Sequence, residues 1–415
     1  MIELVKKFLG TAGVQLLSKI FAVLLSIFYA RALGPESYGL YGFTLSIVTV
    51  LAVPVVSGYP NLIIREIAIY NSTMDWKKIV GIINWSRFFV IISSTILMLL
   101  SYISIITFDV KFLVVALFLI PLRGLLAQQG AILNGFKYPV LAQLPLGVVT
   151  PLLTSFGLSF FYYLGFNLNA ESLILLIVLS SLMAVVFSYF LLRRYVDYQA
   201  EVPCYKNKYW FNSVIPFSFI SLITVLNSEY ASVFLGVFGE KQSVAYYKVA
   251  FQGVFLCTFG LSSINAVIMP QIASLLKREH VKEIQVLLTR SCRISAFVGL
   301  PIIFILIFFG DLIIGVIFGS GYLQSYEIMV ILCFGQLFNV LLGPVGSVLY
   351  MTGNERAALR ILFCSLTLNI VLVSIFSIQF GAVGAAVGTS ISMVFSNIAM
   401  AYVVYKQTNL KTWLR

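Results

Sequence analysis

The sequence predicts an all-α polytopic membrane protein with twelve transmembrane helices in two pseudo-symmetric six-helix lobes. Three observations predict it. The 415-residue chain is 60% hydrophobic and 10% charged, and its apolar residues gather in repeated runs of twenty or more, which no soluble core requires. Those runs are continuously apolar, whereas the strands of a membrane barrel alternate in polarity. When twelve spans are drawn, 21 of the 27 Lys and Arg residues fall on one side, in alternate connections or at the span ends beside them. That asymmetry places both termini in the cytoplasm and supports an even number of spans.

Taken in order, the first six runs are 10–30, 40–64, 82–107, 112–133, 140–163 and 173–192. The first is long enough to cross a bilayer, carries Lys19, and leads through Gly34 and Pro35 into a second run without a small-residue cleavage site, so it is expected to be retained. In the fourth, Pro121 removes a backbone donor and Gly124 loosens the helix on either side of Arg123. In the fifth, Pro145 and Pro151 bracket Gly147, and a bend is expected there. The most polar connection, RRYVDYQAEVPCYKNKY at 193–209, divides an N-terminal lobe, 1–192, from a C-terminal lobe, 210–415. The second set of runs is 214–238, 245–268, 294–318, 328–351, 357–378 and 382–405. A shift of 205 residues aligns Gly34 with Gly239, Tyr41 with Tyr246, Ile67 with Ile272 and Ser86 with Ser291. Six spans per half make parallel repeats, and transporters so built bind substrate between the halves near the midplane.

The formal charge of +12 invites a nucleic-acid reading, but the basic residues mark orientation rather than a polyanion-binding stripe, so no nucleic acid is expected. The five cysteines are scattered singly and offer neither a disulfide framework nor metal-ligand spacing. His280 sits in a charged loop. No P-loop is present, so ATP is not the expected driver, and no cofactor or metal is expected.

The candidates for chemistry are four ionisable residues placed well inside the spans, Lys19, Arg123, Glu229 and Lys248, which sum to +2. A charge at mid-bilayer costs about 3 kcal/mol even on the lower scale, so each should face a hydrated cavity or a partner. A net positive interior matches an anionic substrate, whereas helix-stapling ion pairs would balance in sign. Glu229 either holds Lys19 or Lys248 in place or offers a proton or Na⁺ site that couples transport to an ion gradient. Arg31 and Arg65, at opposite ends of the first two spans, guide an anionic headgroup or act as snorkelling anchors. Tyr38, Tyr41, Tyr162, Tyr163, Tyr246 and Tyr247 read as interfacial belts, with stacking on sugars as the alternative. The small residues of GAVGAAVGTS, 381–390, let helices approach closely.

Several motifs, in this order and spacing, resemble the Wzx-type O-antigen flippases of the multidrug/oligosaccharidyl-lipid/polysaccharide superfamily. They are ARALGPESYGLYGF at 30–43, NLIIREIA at 61–68, VAYYKVA at 244–250, VIMPQIASL at 267–275, and LYMTGNERAALR through FGAVGAAVG at 349–388. The resemblance runs nearly end to end. It implies a MATE-like arrangement and a non-enzymatic flippase in the bacterial inner membrane. Its substrate would be an undecaprenyl-pyrophosphate-linked oligosaccharide, moved from the cytoplasmic to the periplasmic leaflet by alternating access. It further implies a cationic cavity, here Lys19, Arg123 and Lys248, with an O-antigen polymerase and a chain-length regulator as partners. Drug exporters of the superfamily tend to carry an acidic residue in the first span, where this chain has Lys19. The rival readings are a polymerase- or ligase-type membrane enzyme and a small-molecule exporter.

Overall fold

The computed structural model describes residues 2–108, 111–165, 168–196, 201–277 and 281–413, and these are helical nearly throughout. Continuous apolar runs fold this way because a helix satisfies every backbone group internally where no water can. In the first half the helices are α1 (Ile2–Val56), α2 (Tyr59–Ser72), α3 (Trp76–Phe108), α4 (Lys111–Leu117), α5 (Leu119–Gly135), α6 (Pro139–Leu144), α7 (Thr150–Tyr163) and α8 (Ala170–Tyr195). In the second they are α9 (Asn207–Phe238), α10 (Lys241–Lys277), α11 (Val281–Ile317), α12 (Ser325–Leu342), α13 (Val345–Met351) and α14 (Glu355–Thr408).

All twelve predicted runs fall on helix. Among the described residues nine stretches are long and apolar enough to cross a membrane; the 54-residue one holds two predicted runs, and the 53-residue one, from Ile20, holds the end of the first run and all of the second. Glycines supply the breaks inside these long elements. α1 is interrupted at Gly34 (φ 71°) and α14 at Gly381 (φ 56°), a backbone region that costs glycine nothing.

Two runs expected to be unbroken are divided. The second stops at Ser57 and Gly58, where Gly58 (φ 87°) lies against Ser218 and the Val214 carbonyl of α9. The tenth stops at Gly343 (φ 68°) and Pro344. Proline also sets the break near Arg123: the helix is interrupted at Phe118, because Pro121 has no N–H to give the Leu117 carbonyl four residues earlier. The expected bend at 145–151 is a π-helical turn, Pro145–Val149. Pro151 cannot donate to Gly147, and the Pro145 carbonyl accepts instead from the Thr150 amide and, at 3.0 Å, from its hydroxyl.

Contacts divide the chain into two compact units, one comprising Met1–Leu33 with Thr44–Val225 and the other Gly34–Phe43 with Leu226–Arg415. In the first, α5 packs against α2, α3 and α8 and buries Leu119, Ile120, Ile132 and Leu133. The polar segment at 201–210 belongs here. The Cys204 amide donates to the Lys77 carbonyl at 3.0 Å, the Cys204 carbonyl presses on Gly81, and fully buried Trp210 lies 5.5 Å from Trp85. The boundary between these contact units falls within α9, at Val225.

In the second unit α12 packs on α10, α11 and α14, and a core of Ile272, Ile284, Leu288, Val348, Leu349 and Val404 closes one end. The segment Gly34–Phe43 of α1 docks here. Gly39 meets the Lys241 carbonyl, Phe43 lies on Gly236, and Tyr38 stands edge-on to Tyr322 at 6.1 Å. Tyr38 and Tyr247, expected in interfacial belts, are instead buried at 5% and 1% exposure: Gly39 beside Tyr38 admits close packing on α10, and the Tyr247 hydroxyl lies against Thr389 of α14. Tyr162 and Tyr163 are 75% and 87% exposed, as a belt requires.

Candidate functional site

In the second unit, α9 and α10 bring Glu229 and Lys248 together. The Lys248 Nζ lies 2.6 Å from the Glu229 Oε2, with the side chains only 23% and 20% exposed. Three features hold the pair. Gly42 leaves room for the lysine stem, since a Cβ there would sit 3.3 Å from the Lys248 Cγ. On the residue beside Glu229, the Tyr230 hydroxyl lies 2.7 Å from the Ser374 Oγ. On the residue beside Lys248, the buried Tyr247 hydroxyl lies 3.1 Å from the Thr389 Oγ1. Both hydroxyl partners are on α14, so α9 and α10 are each tied to it next to the charges. Of the two roles open to Glu229, the pairing with Lys248 is the one seen. A paired ammonium still presents N–H donors, but its charge is largely met within the site.

In the first unit, Arg123 sits half-buried on α5, and its Nη1 donates to the Thr49 Oγ1 of α1 at 3.2 Å. The next residue fixes the helix position. The Tyr59 hydroxyl donates to the Gly124 carbonyl at 2.6 Å, and a Cβ on Gly124 would lie 2.6 Å from Val55 and 2.8 Å from Val90. Glycine at that position therefore sets how deeply the guanidinium is carried into the bundle. Arg31 is an exposed residue of the first unit, three positions before the α1 break.

Arg65, on α2, is also exposed, yet its Nη2 lies 3.0 Å from the Glu66 Oε1 and donates to the Tyr209 hydroxyl at 3.0 Å. Glu66 is itself only 4% exposed. Sequence reasoning passed over it because it stands in a charged pair at the end of a span; its place on the buried face with Leu62, Ile63 and Tyr70 was the available signal.

The site residues thus stand as follows. Arg31, Arg65 and Arg123 belong to the first unit, and Glu229 and Lys248 to the second. Lys19 is in α1, and its side chain, like His280, lies outside the described residues. Among the described residues no group of three or more His, Cys, Asp or Glu gathers as metal ligands do.

Comparison with known proteins matches this architecture. The structure is similar to an inward-facing multidrug resistance MATE family transporter of the MOP superfamily, with a TM-score of 0.77 at 15% identity over 94% of each chain. It is similar as well to the lipid II flippase MurJ in an inward closed conformation, with a TM-score of 0.76 at 16% identity over 95% of this chain and 87% of that one. At such identities the likeness is one of fold.

Three relatives are similar in sequence. A capsular polysaccharide biosynthesis protein of Staphylococcus aureus is 28% identical over 59% of this chain and 62% of its own length. A putative O-antigen transporter of Shigella flexneri is 21% identical over 90% of this chain and 91% of its own. A probable low-salt glycan biosynthesis flippase of Haloferax volcanii is 23% identical over 50% and 44%. The chain spans less than two thirds of the length of the staphylococcal and haloarchaeal relatives. The profile of the polysaccharide biosynthesis protein family covers residues 28–327, a stretch that includes Arg123, Glu229 and Lys248, and with that match over well more than half its length the chain belongs to this family.

Proposed function

We propose that this protein flips an undecaprenyl-pyrophosphate-linked oligosaccharide from the cytoplasmic to the periplasmic leaflet of a bacterial inner membrane. It would work by alternating access of two six-helix lobes, with both termini cytoplasmic. The observation that carries the reading is the excess of cations over carboxylates inside the apolar spans of a chain from the polysaccharide biosynthesis family. A diphosphate entering a bilayer loses its water, and guanidinium and ammonium groups replace that water with charge-assisted hydrogen bonds.

Arg123, carried inward by the glycine beside it, and Lys19 are assigned to the diphosphate. Lys248 contributes N–H donors while Glu229 offsets its charge. The polyprenyl tail remains in lipid. An ion gradient is the assigned energy source, at about 2.3 kcal/mol per charge per 100 mV. A polymerase that extends the delivered units is the assigned partner.

The test is transport of a fluorescent undecaprenyl-diphosphate sugar in vesicles holding the full chain. Arg123→Ala and Lys19→Ala should each slow flipping about tenfold, the kinetic equivalent of one charge-assisted hydrogen bond. Arg123→Lys and Lys19→Arg should retain most of it. Lys248→Ala should do less harm when combined with Glu229→Gln than alone, since the single change strands a carboxylate in the membrane. Unchanged flipping in both alanine variants rules out this assignment.

A further inference from the structure

The first turns of α11 are two-faced. Ile284, Leu288 and Cys292, one turn apart, are buried against α13, α14 and the C-terminal tail, where the Cys292 thiol meets the Thr412 carbonyl. Lys282, Val286 and Arg290 recur at the same interval on the other side and are exposed. With Leu275 of α10, Glu283 and Leu287 they line a groove of about 350 Å³ within the second unit. The same side of the helix continues to Ile294 and Phe297, 54% and 80% exposed. One helix face therefore sets the cations Lys282, Arg290 and Arg293 beside exposed apolar side chains.

We propose that this groove holds one anionic phospholipid of the surrounding bilayer, its phosphate between Lys282 and Arg290 and its acyl chains along Val286, Leu287, Ile294 and Phe297. Lys282 and Arg290 are about 12 Å apart along the helix axis, and their long stems converge on a single group from either end. Charge selects the occupant. Lys282, Arg290 and the exposed Arg293 on the same stripe give the face an excess of positive charge, which matches an anionic headgroup. A free phosphate has no use for the apolar floor. The arrangement is that of basic pockets at the ends of membrane helices, where headgroup and chain are recognised together. It requires a bilayer and not the flippase reading, so either can fail without the other.

Native mass spectrometry of the full chain in mild detergent tests this, with phosphatidylglycerol, phosphatidylethanolamine or undecaprenyl diphosphate added at equal concentration. The wild type should retain phosphatidylglycerol over phosphatidylethanolamine by about fivefold per cation. The double variant Lys282→Gln, Arg290→Gln should lose that preference, and Lys282→Arg, Arg290→Lys should keep it. As a second measurement, a Val286→Trp reporter in vesicles should be quenched by brominated phosphatidylglycerol and much less by brominated phosphatidylethanolamine. Equal retention of the two phospholipids, or a preference that survives the double glutamine change, overturns the proposal. Tighter retention of undecaprenyl diphosphate than of phosphatidylglycerol also overturns it, by giving the groove to the diphosphate carrier.

Discussion

Two long helices of this protein break at a glycine with positive φ, and the breaks lead to different kinds of packing. In α14 the chain resumes after Gly381 and returns along itself. Gly384 meets the Phe376 carbonyl, Gly388 lies on the backbone of Leu372 and Val373, and the Ser365 hydroxyl donates to the Ser392 carbonyl at 3.0 Å. In α1 the chain resumes after Gly34 and docks on residues about 200 positions away, with Gly39 on the Lys241 carbonyl, Gly42 on Lys248 and Phe43 on Gly236. Both contacts use the same device, a missing Cβ that lets backbones touch. Chain entropy separates them: closing a loop of that length costs roughly 3 kcal/mol more than closing the short α14 turn. The distant contact offsets this with added aromatic packing, Tyr38 on Tyr322 at 6.1 Å and Tyr322 on Phe318 at 6.2 Å.

The largest test of that difference is Gly39→Ala against Gly384→Ala. Each new methyl would fall on a backbone carbonyl that no rotamer change can move. Overpacking should remove about 3 kcal/mol at Gly39, where the whole segment Gly34–Phe43 is released, and about 1–2 kcal/mol at Gly384, where the hairpin only splays. Thermal unfolding in detergent reads both, and equal losses would break the comparison.

A smaller test is Gly34→Ala against Gly381→Ala. A Cβ at either position meets nothing within 4 Å, so only the strain of positive φ is added. Both positions lie outside the left-handed helical region, in backbone conformations that suit glycine alone, so both substitutions should lower stability by about 2 kcal/mol. A clear inequality would show that one break carries more than its own backbone geometry.

The smallest test sets a local ion pair against a long-range one within the first unit. The hydrogen bond from Lys78 holds the Asp75 carboxyl below the usual carboxylate range. A depressed folded-state value stabilises the protein above the unfolded value near ~4 and ceases to do so as pH falls through the folded one. Asp75→Asn should therefore cost little at pH 7, because the pair is partly exposed, and progressively less as pH falls through the depressed folded-state value. Glu201→Gln should cost less still, since Glu201 and Lys77 are 3.9 Å apart and largely solvated. Unfolding midpoints recorded across pH separate the two.

The same contrast explains what the sequence made legible. Helix existence and order could be read because a continuous apolar run has one solution in a bilayer, and the Pro145–Pro151 bend followed from missing donors. The close packing of 381–390 was local and therefore visible. The docking of Gly34–Phe43 was not, because nothing in GPESYGLYGF names α10 as its partner. At the candidate site the pairing of Glu229 with Lys248 could be anticipated from one carboxylate among three cations. Arg123 on Thr49 could not be, because a threonine in an apolar run carries no sign of what it will meet. Glu66 was hidden for a related reason, since neighbouring opposite charges at a span end read as solvated until Tyr209 covers them.

The indole pair beside the 201–210 connection gives the protein an intrinsic optical gauge. The chain has four tryptophans, and Trp85 and Trp210 lie 5.5 Å apart with Trp210 fully enclosed. Whenever the polar strap from Glu201 onward lifts away, that ring enters water and its emission must shift to the red, so the seating of the strap can be followed in unlabelled protein.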